Sequence, residues 1–130
     1  MKKAVLFVRV STEKQTLESQ IEALKRTAFI DGYSDSDLIV IAKKESGVKL
    51  KESEREGLNE LKSVIIENDV DCVYIFELSR LSRDPMTLYS VRDKIFKDNK
   101  VQLKCLKPTF SLLEEPERTK FDAMGSLVFS

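Results

Sequence analysis

At 130 residues the chain is sized for one domain, and a hydrophobic content of 42% is enough for a core. Lys plus Arg number 22 and Asp plus Glu number 22, so no global charge draws the chain to nucleic acid and any anion site has to be local. With no histidine, Ser-His-Asp and Cys-His nucleophiles and a zinc constellation are excluded.

The first element is the apolar run Val5-Leu6-Phe7-Val8, a buried strand by pattern, too short for a signal peptide or a membrane span. Strand alternation sets Arg9 and Ser11 to one side and Val8 and Val10 to the core, placing a hydroxyl beside a permanently charged fork suited to phosphate oxygens. From Thr16 to Ile30, Leu17, Ile21, Leu24 and Ala28 recur at helical spacing, and Asp31-Gly32 is a stop signal. Thr12 and Gln15 have the spacing of a capping box, which accounts for Gln15 without any function.

Leu38 to Ala42 is expected to be a second buried strand, followed by an exposed mobile loop, KKESGVKLKESERE. Ser53 and Glu56 then have capping-box spacing ahead of a helix with the stripe Leu58, Leu61 and Ile65. That start places Arg55 in the first helical turn, where the macrodipole disfavours a cation unless an anion lies near.

Cys72 to Phe76 has no alternation, as expected of a strand covered on both faces. Beyond it Asp84 and Pro85 are expected as N-cap and first residue of a helix buried through Leu88, Val91 and Ile95. Arg80 and Arg83, three apart, would share a face of a helical turn and make a phosphate cradle, although a pair of surface arginines is also common. Val101 to Leu106 alternates like a strand near a sheet edge, and Lys107-Pro108 closes it. From Glu114 the acidic residues, Pro116 and Glu117 signal a last helix carrying Phe121, Met124 and Val128, with no C-cap before Ser130, as in a helix cut short. The cysteines, Cys72 and Cys105, lie in apolar runs and call for no disulfide, which makes a reduced, cytoplasmic setting the expectation.

Alternating strands and helices predict a three-layer α/β domain over residues 1–130 with a mostly parallel sheet of about four to five strands. In such sheets ligands bind beyond the carboxyl ends of the strands. Three polar clusters follow predicted strands: Arg9 with Ser11, then Ser46 and Gly47 with Arg55, then Ser79, Arg80 and Arg83. They hold four of the seven arginines, and fixed positive charge converging on a serine suits a phosphoryl centre. A phosphoacceptor receiver domain of similar fold class would instead need paired carboxylates after the first strand, where Arg9 and Ser11 stand.

These residues resemble the catalytic domain of the resolvase and invertase family of serine site-specific recombinases. That domain typically carries R-V-S-T-x-x-Q after the first strand, a Ser-Gly loop, an R-x-G-L helix start and D-R-L-x-R-D after the third strand. The chain reads Arg9-Val10-Ser11-Thr12-Glu13-Lys14-Gln15, Ser46-Gly47, Arg55-Glu56-Gly57-Leu58 and Ser79-Arg80-Leu81-Ser82-Arg83-Asp84, with order and spacing matched nearly end to end.

The resemblance implies cleavage and rejoining of double-stranded DNA without metal or other cofactor. Ser11 is then the nucleophile that joins the 5' phosphate and frees a 3' hydroxyl. Arg9, Arg80 and Arg83 stabilise the phosphorane charge, and Arg55, Ser46 and Gln15 or Gln20 support them. It also implies self-association, as a dimer and a synaptic tetramer of the full-length protein, a DNA-binding region beyond the last helix, and a bacterial or mobile-element origin. One position departs: Ser79 stands where the family commonly has an aspartate suspected of handling the leaving-group proton. That departure leaves open an alternative, a degenerate module of the same fold that binds DNA or assembles without cleaving.

Overall fold

The computed structural model describes residues 2–10, 14–44, 50–107 and 110–111. Strand β1 spans Lys3–Val10 and is followed by helix α1 (Lys14–Ile30), strand β2 (Leu38–Lys44), helix α2 (Leu50–Glu67) and strand β3 (Val70–Glu77). A 3₁₀ turn at Leu78–Arg80 leads to helix α3 (Pro85–Val91), which runs on as a π-helical segment over Arg92–Lys97 into β4 (Gln102–Lys107) and a two-residue β5 (Phe110–Ser111). The sheet order is β2-β1-β3-β4-β5. The first four strands are parallel, with Val5 opposite both Ile39 and Val73 and Val73 opposite Leu103. Among the described strands only β5 is antiparallel, Lys104 facing Ser111. The expected α/β domain with a mostly parallel sheet is the one observed.

Side-chain alternation along β1 sorts the core into two halves. Ala4, Leu6, Val8 and Val10 pack with Cys72, Tyr74 and the α1 residues Leu24 and Ala28. Val5 and Phe7 face the other way, against Leu61 and Ile65 of α2 and Leu88 and Val91 of α3. The sheet is thus a middle layer between α1 and the α2–α3 pair. Helix α1 stops as its sequence says: Gly32 takes a φ of 105°, and the Gly32 and Tyr33 amides donate to the Phe29 and Ala28 carbonyls, the pairing of a Schellman cap. Cys72 and Cys105 are both free and buried, and burial pushes their thiols up to about 12 and about 11.

Several expectations change. Strand β2 is an edge strand, not a buried one: Val40 lies opposite Leu6, which is buried, yet Val40 itself is 42% exposed. Helix α2 begins at Leu50, inside the stretch expected as loop, so Ser53 and Glu56 are interior positions and not a capping box. Leu50, Lys51 and Glu52 are good helix formers, and Glu52 suits the positive end of the macrodipole. Arg55 is consequently the sixth residue of the helix, and the first-turn argument for an anion beside it falls away. The turn after β3 ends at Arg80, so Arg80 and Arg83 do not share one helical turn. Asp84 is the N-cap residue and Pro85 the first of α3, as expected, but the Asp84 carboxylate takes the Thr87 hydroxyl at 2.8 Å and no backbone amide. The last predicted helix, from Glu114, lies outside the described residues, as does the Thr12 half of the first capping box.

Candidate active site

The connection after β1 leads outward to β2, whereas the connection after β3 leads the other way to β4. The carboxyl ends of β1 and β3 therefore flank the point where the winding reverses, the place where open parallel sheets form a crevice. Arg9 is the penultimate residue of β1, and Ser79, Arg80 and Arg83 follow β3 directly. The Arg9 Nη2 donates to the Ser79 carbonyl at 2.7 Å, which joins the first and third polar clusters across that point.

Arg9 is not open to solvent. Alternation turns it to the same face as Phe7, where α2 covers it, and it is 2% exposed. The sequence-based contrast between a core-facing Val8 and Val10 and an outward Arg9 is thus replaced by a strand buried on both faces. The counter-charge comes from Glu54 on α2, whose Oε2 lies 3.3 Å from Arg9 Nη2. Glu54 also accepts from the Ser82 hydroxyl at 3.0 Å and from the Arg83 amide at 3.2 Å. Ser82, fully buried, accepts in turn from the Asp84 amide at 3.0 Å.

Gly57 explains how α2 comes this close. A Cβ built on Gly57 would sit 3.2 Å from the Phe7 ring, so only a glycine lets the helix axis approach β1 freely here. Glu54 lies three residues earlier, on the same helical face, as Arg9 lies two residues beyond Phe7 on the same strand face. The glycine and the glutamate therefore act together over adjoining positions of β1.

Sequence reasoning missed Glu54 and Ser82. A signal for Glu54 was present: Glu54, Leu58, Leu61 and Ile65 are spaced four, three and four, so the carboxylate continues an otherwise apolar stripe backward. The capping-box reading of Ser53 hid it by starting the helix too late.

The remaining site residues take up distinct positions. Arg80 pairs with Glu77 at 3.0 Å and is half-buried. Arg55 and Arg83 are exposed and line a cleft of about 930 Å³ between α2 and α3, in which Glu54 also takes part. Gln20 is buried in α1, and its Oε1 meets no hydrogen-bond partner among the described residues. Ser79 gives its backbone carbonyl to Arg9, a contact that does not depend on its side chain. Ser11 and Ser46 lie outside the described residues, and Gln15 is the second residue of α1 with its side chain undescribed. Among the described residues no group of three or more Cys, Asp or Glu could hold a metal ion, and no helix is long and apolar enough to cross a membrane.

Of these fixed cations, Arg9 and Arg80 face carboxylates, and Arg55 and Arg83 face the cleft between α2 and α3. Comparison with known proteins sets them in context. The model of the resolvase N-terminal domain family matches residues 4–128. The chain belongs to the resolvase family. Among solved structures, the N-terminal catalytic domain of TP901-1 integrase is 30% identical, with 97% of this chain and 93% of that chain covered and a TM-score of 0.72. A resolvase family site-specific recombinase from Streptococcus pneumoniae shares the fold at 22% identity, covering 98% of this chain and 87% of that one with a TM-score of 0.57. No curated protein matches the chain. The resolvase-like fold expected from four motifs in register is therefore the fold observed, with four parallel strands at its centre.

Proposed function

We propose that this resolvase-family domain cleaves and rejoins double-stranded DNA through a covalent 5'-phosphoserine bond at Ser11. The observation that carries the reading is the contact of Arg9 with the Ser79 carbonyl. It draws the end of β1, one residue short of Ser11, to the segment after β3 that carries Arg80 and then Arg83. In this reading the Ser11 oxygen attacks the scissile phosphorus, the bond to the 3' oxygen breaks, and the strand leaves with a free 3' hydroxyl. The reverse attack by a 3' hydroxyl then releases Ser11.

The arginines supply preorganised positive charge for the phosphorane oxygens, the largest single contribution expected at such a centre. Arg83 and Arg55 reach the open cleft, Arg80 is held beside Glu77, and Arg9 sets the floor of the site. Gln15, Gln20 and Ser46 are supporting residues in the same reading, with Ser79 at the position of the family aspartate. Residues 1–130 form the catalytic domain, acting without a metal or organic cofactor in the cytoplasm. Partner copies and a DNA-binding region of the full-length protein complete the machinery.

The test is Ser11→Ala in the full-length protein, assayed for a protein–DNA adduct and for site binding. Loss of the adduct with binding retained is expected, because removing the nucleophile leaves the phosphate contacts in place. An adduct that survives Ser11→Ala refutes the assignment. A wild-type protein that binds but never forms an adduct favours the non-cleaving alternative.

A further inference from the structure

We propose that Glu54 is a positioning residue for the reaction: it fixes the Arg9 guanidinium and the Ser82–Arg83 turn in one common geometry. The inference rests on the strand-cleavage reading above and deepens it. Glu54 joins three segments distant in sequence, since its carboxylate meets Arg9 at the end of β1 and both Ser82 and the Arg83 amide after β3, while its backbone belongs to α2.

A purely structural role explains this arrangement poorly. Arg9 is 2% exposed and the Glu54 side chain 10%, so both charges have lost most of their water. A buried pair of this kind is commonly matched or exceeded in stability by apolar residues of the same volume. What an apolar pair cannot do is orient a fork. The Arg9 Nη2 sits between the Ser79 carbonyl and the Glu54 carboxylate, which sets the plane of the guanidinium at the end of the strand leading to Ser11. The same carboxylate holds the backbone at Arg83, whose side chain faces the cleft. One group therefore sets two arginines relative to each other, and a misplacement on the order of 1 Å at such a centre costs about a hundredfold in rate.

The experiment is a double-substitution cycle in the full-length protein, read as the rate of adduct formation at protein concentrations that saturate the DNA site. Glu54→Gln keeps one oxygen to accept from the Arg83 amide and turns its NH2 to the Ser82 hydroxyl, which can accept, but removes the charge facing Arg9. It is expected to slow adduct formation about tenfold or more while site affinity stays within about twofold. In an Arg9→Lys background, which has already lost the planar fork, the same substitution is expected to change the rate by less than about threefold. A loss of stability alone would not produce that coupling in a rate measured on folded, DNA-bound protein. If Glu54→Gln does not fold, Glu54→Asp takes its place under the same criteria, since it keeps the charge and draws the carboxylate back by one methylene.

A wild-type rate for the single variant, or an equal loss in both backgrounds, overturns the proposal. Ser11→Ala, run alongside, separates the two readings. An adduct that survives there removes the nucleophile assignment, whereas its loss there beside a full rate for the Glu54 variant removes the positioning role alone.

Discussion

The two halves of the molecule each carry an ion-pair network, and the two are built on opposite terms. At the carboxyl end of α1, Asp31 accepts from the Tyr74 hydroxyl at 2.5 Å and from Lys104 Nζ at 2.7 Å, and Tyr33 donates to Asp71 nearby. The Asp31 and Lys104 side chains are both 28% exposed, so each charge keeps part of its water. Around α2, Arg9 and Glu54 keep almost none. The first network fastens the end of a helix to β3 and β4 at small desolvation cost. The second is expensive to bury, lies at the crevice between β1 and β3, and binds the segments that carry the proposed site. Of these two networks, the desolvated one lies where segments from three parts of the chain meet, and the solvated one where a helix end is attached.

The largest effect is expected from breaking the buried pair on one side. Arg9→Met leaves Glu54 as an uncompensated buried charge, and about 3–5 kcal/mol of stability should be lost in urea unfolding. Adding Glu54→Gln removes that charge while keeping one oxygen to accept from the Arg83 amide and an NH2 for the Ser82 oxygen, and should recover most of the loss. Adduct formation is expected to stay absent in both variants. Additive losses would mean that the two side chains do not compensate each other, and would dissolve the contrast between the faces.

A smaller effect is expected from changing how closely α2 approaches without touching any charge. Gly57→Ala gains about 1 kcal/mol of helix propensity but places a methyl 3.2 Å from the Phe7 ring. The ring or the helix has to give, at a cost of about 1–3 kcal/mol, so a net loss of about 1 kcal/mol is expected. Because Glu54 is one turn away on the same face, adduct formation should fall about threefold to tenfold. Phe7→Leu together with Gly57→Ala opens the contact and should restore part of the rate. An unchanged rate in Gly57→Ala would show that Glu54 holds its place independently of the helix approach.

Much of this was legible in the sequence, and the failures share a cause. The strands stood out because a parallel sheet covered on both faces demands unbroken apolar runs, as in Val5 to Val8 and Cys72 to Phe76. The cap at Gly32 and the start at Asp84-Pro85 are local chemistry, readable from neighbours. What local reading could not supply was how far a neighbouring element extends cover. Val40 looks like a core residue until its strand proves to be the sheet edge, and Arg9 looks like a surface residue until α2 lies over it. The late start given to α2 came from the same limit, since Ser53 and Glu56 have cap spacing whether or not a helix has already begun. The edge-forming β5 and the π-helical turn over Arg92–Lys97 carry no comparable local signal.

The smallest effect is expected on the other face, and it has a pH signature. Burial raises the Asp31 pKa, but the Lys104 and Tyr74 hydrogen bonds and the Lys104 charge outweigh it and hold the carboxyl below its ordinary value of 3.8. A carboxyl held low in the folded state contributes its stability in full above the ordinary value, and the contribution is lost as pH falls through the folded one. Asp31→Asn should therefore cost about 1 kcal/mol or less at pH 7 and progressively less than that as the pH drops below about 4, where the native carboxyl is itself being protonated. Urea unfolding of both proteins at pH 7 and pH 3 measures this convergence. Adduct formation by Asp31→Asn at pH 7 should match that of the parent within about twofold, because the staple lies apart from the crevice between β1 and β3. A tenfold slower adduct in Asp31→Asn would mean that the solvated network also orients the site, and that the division of labour between the two networks is wrong.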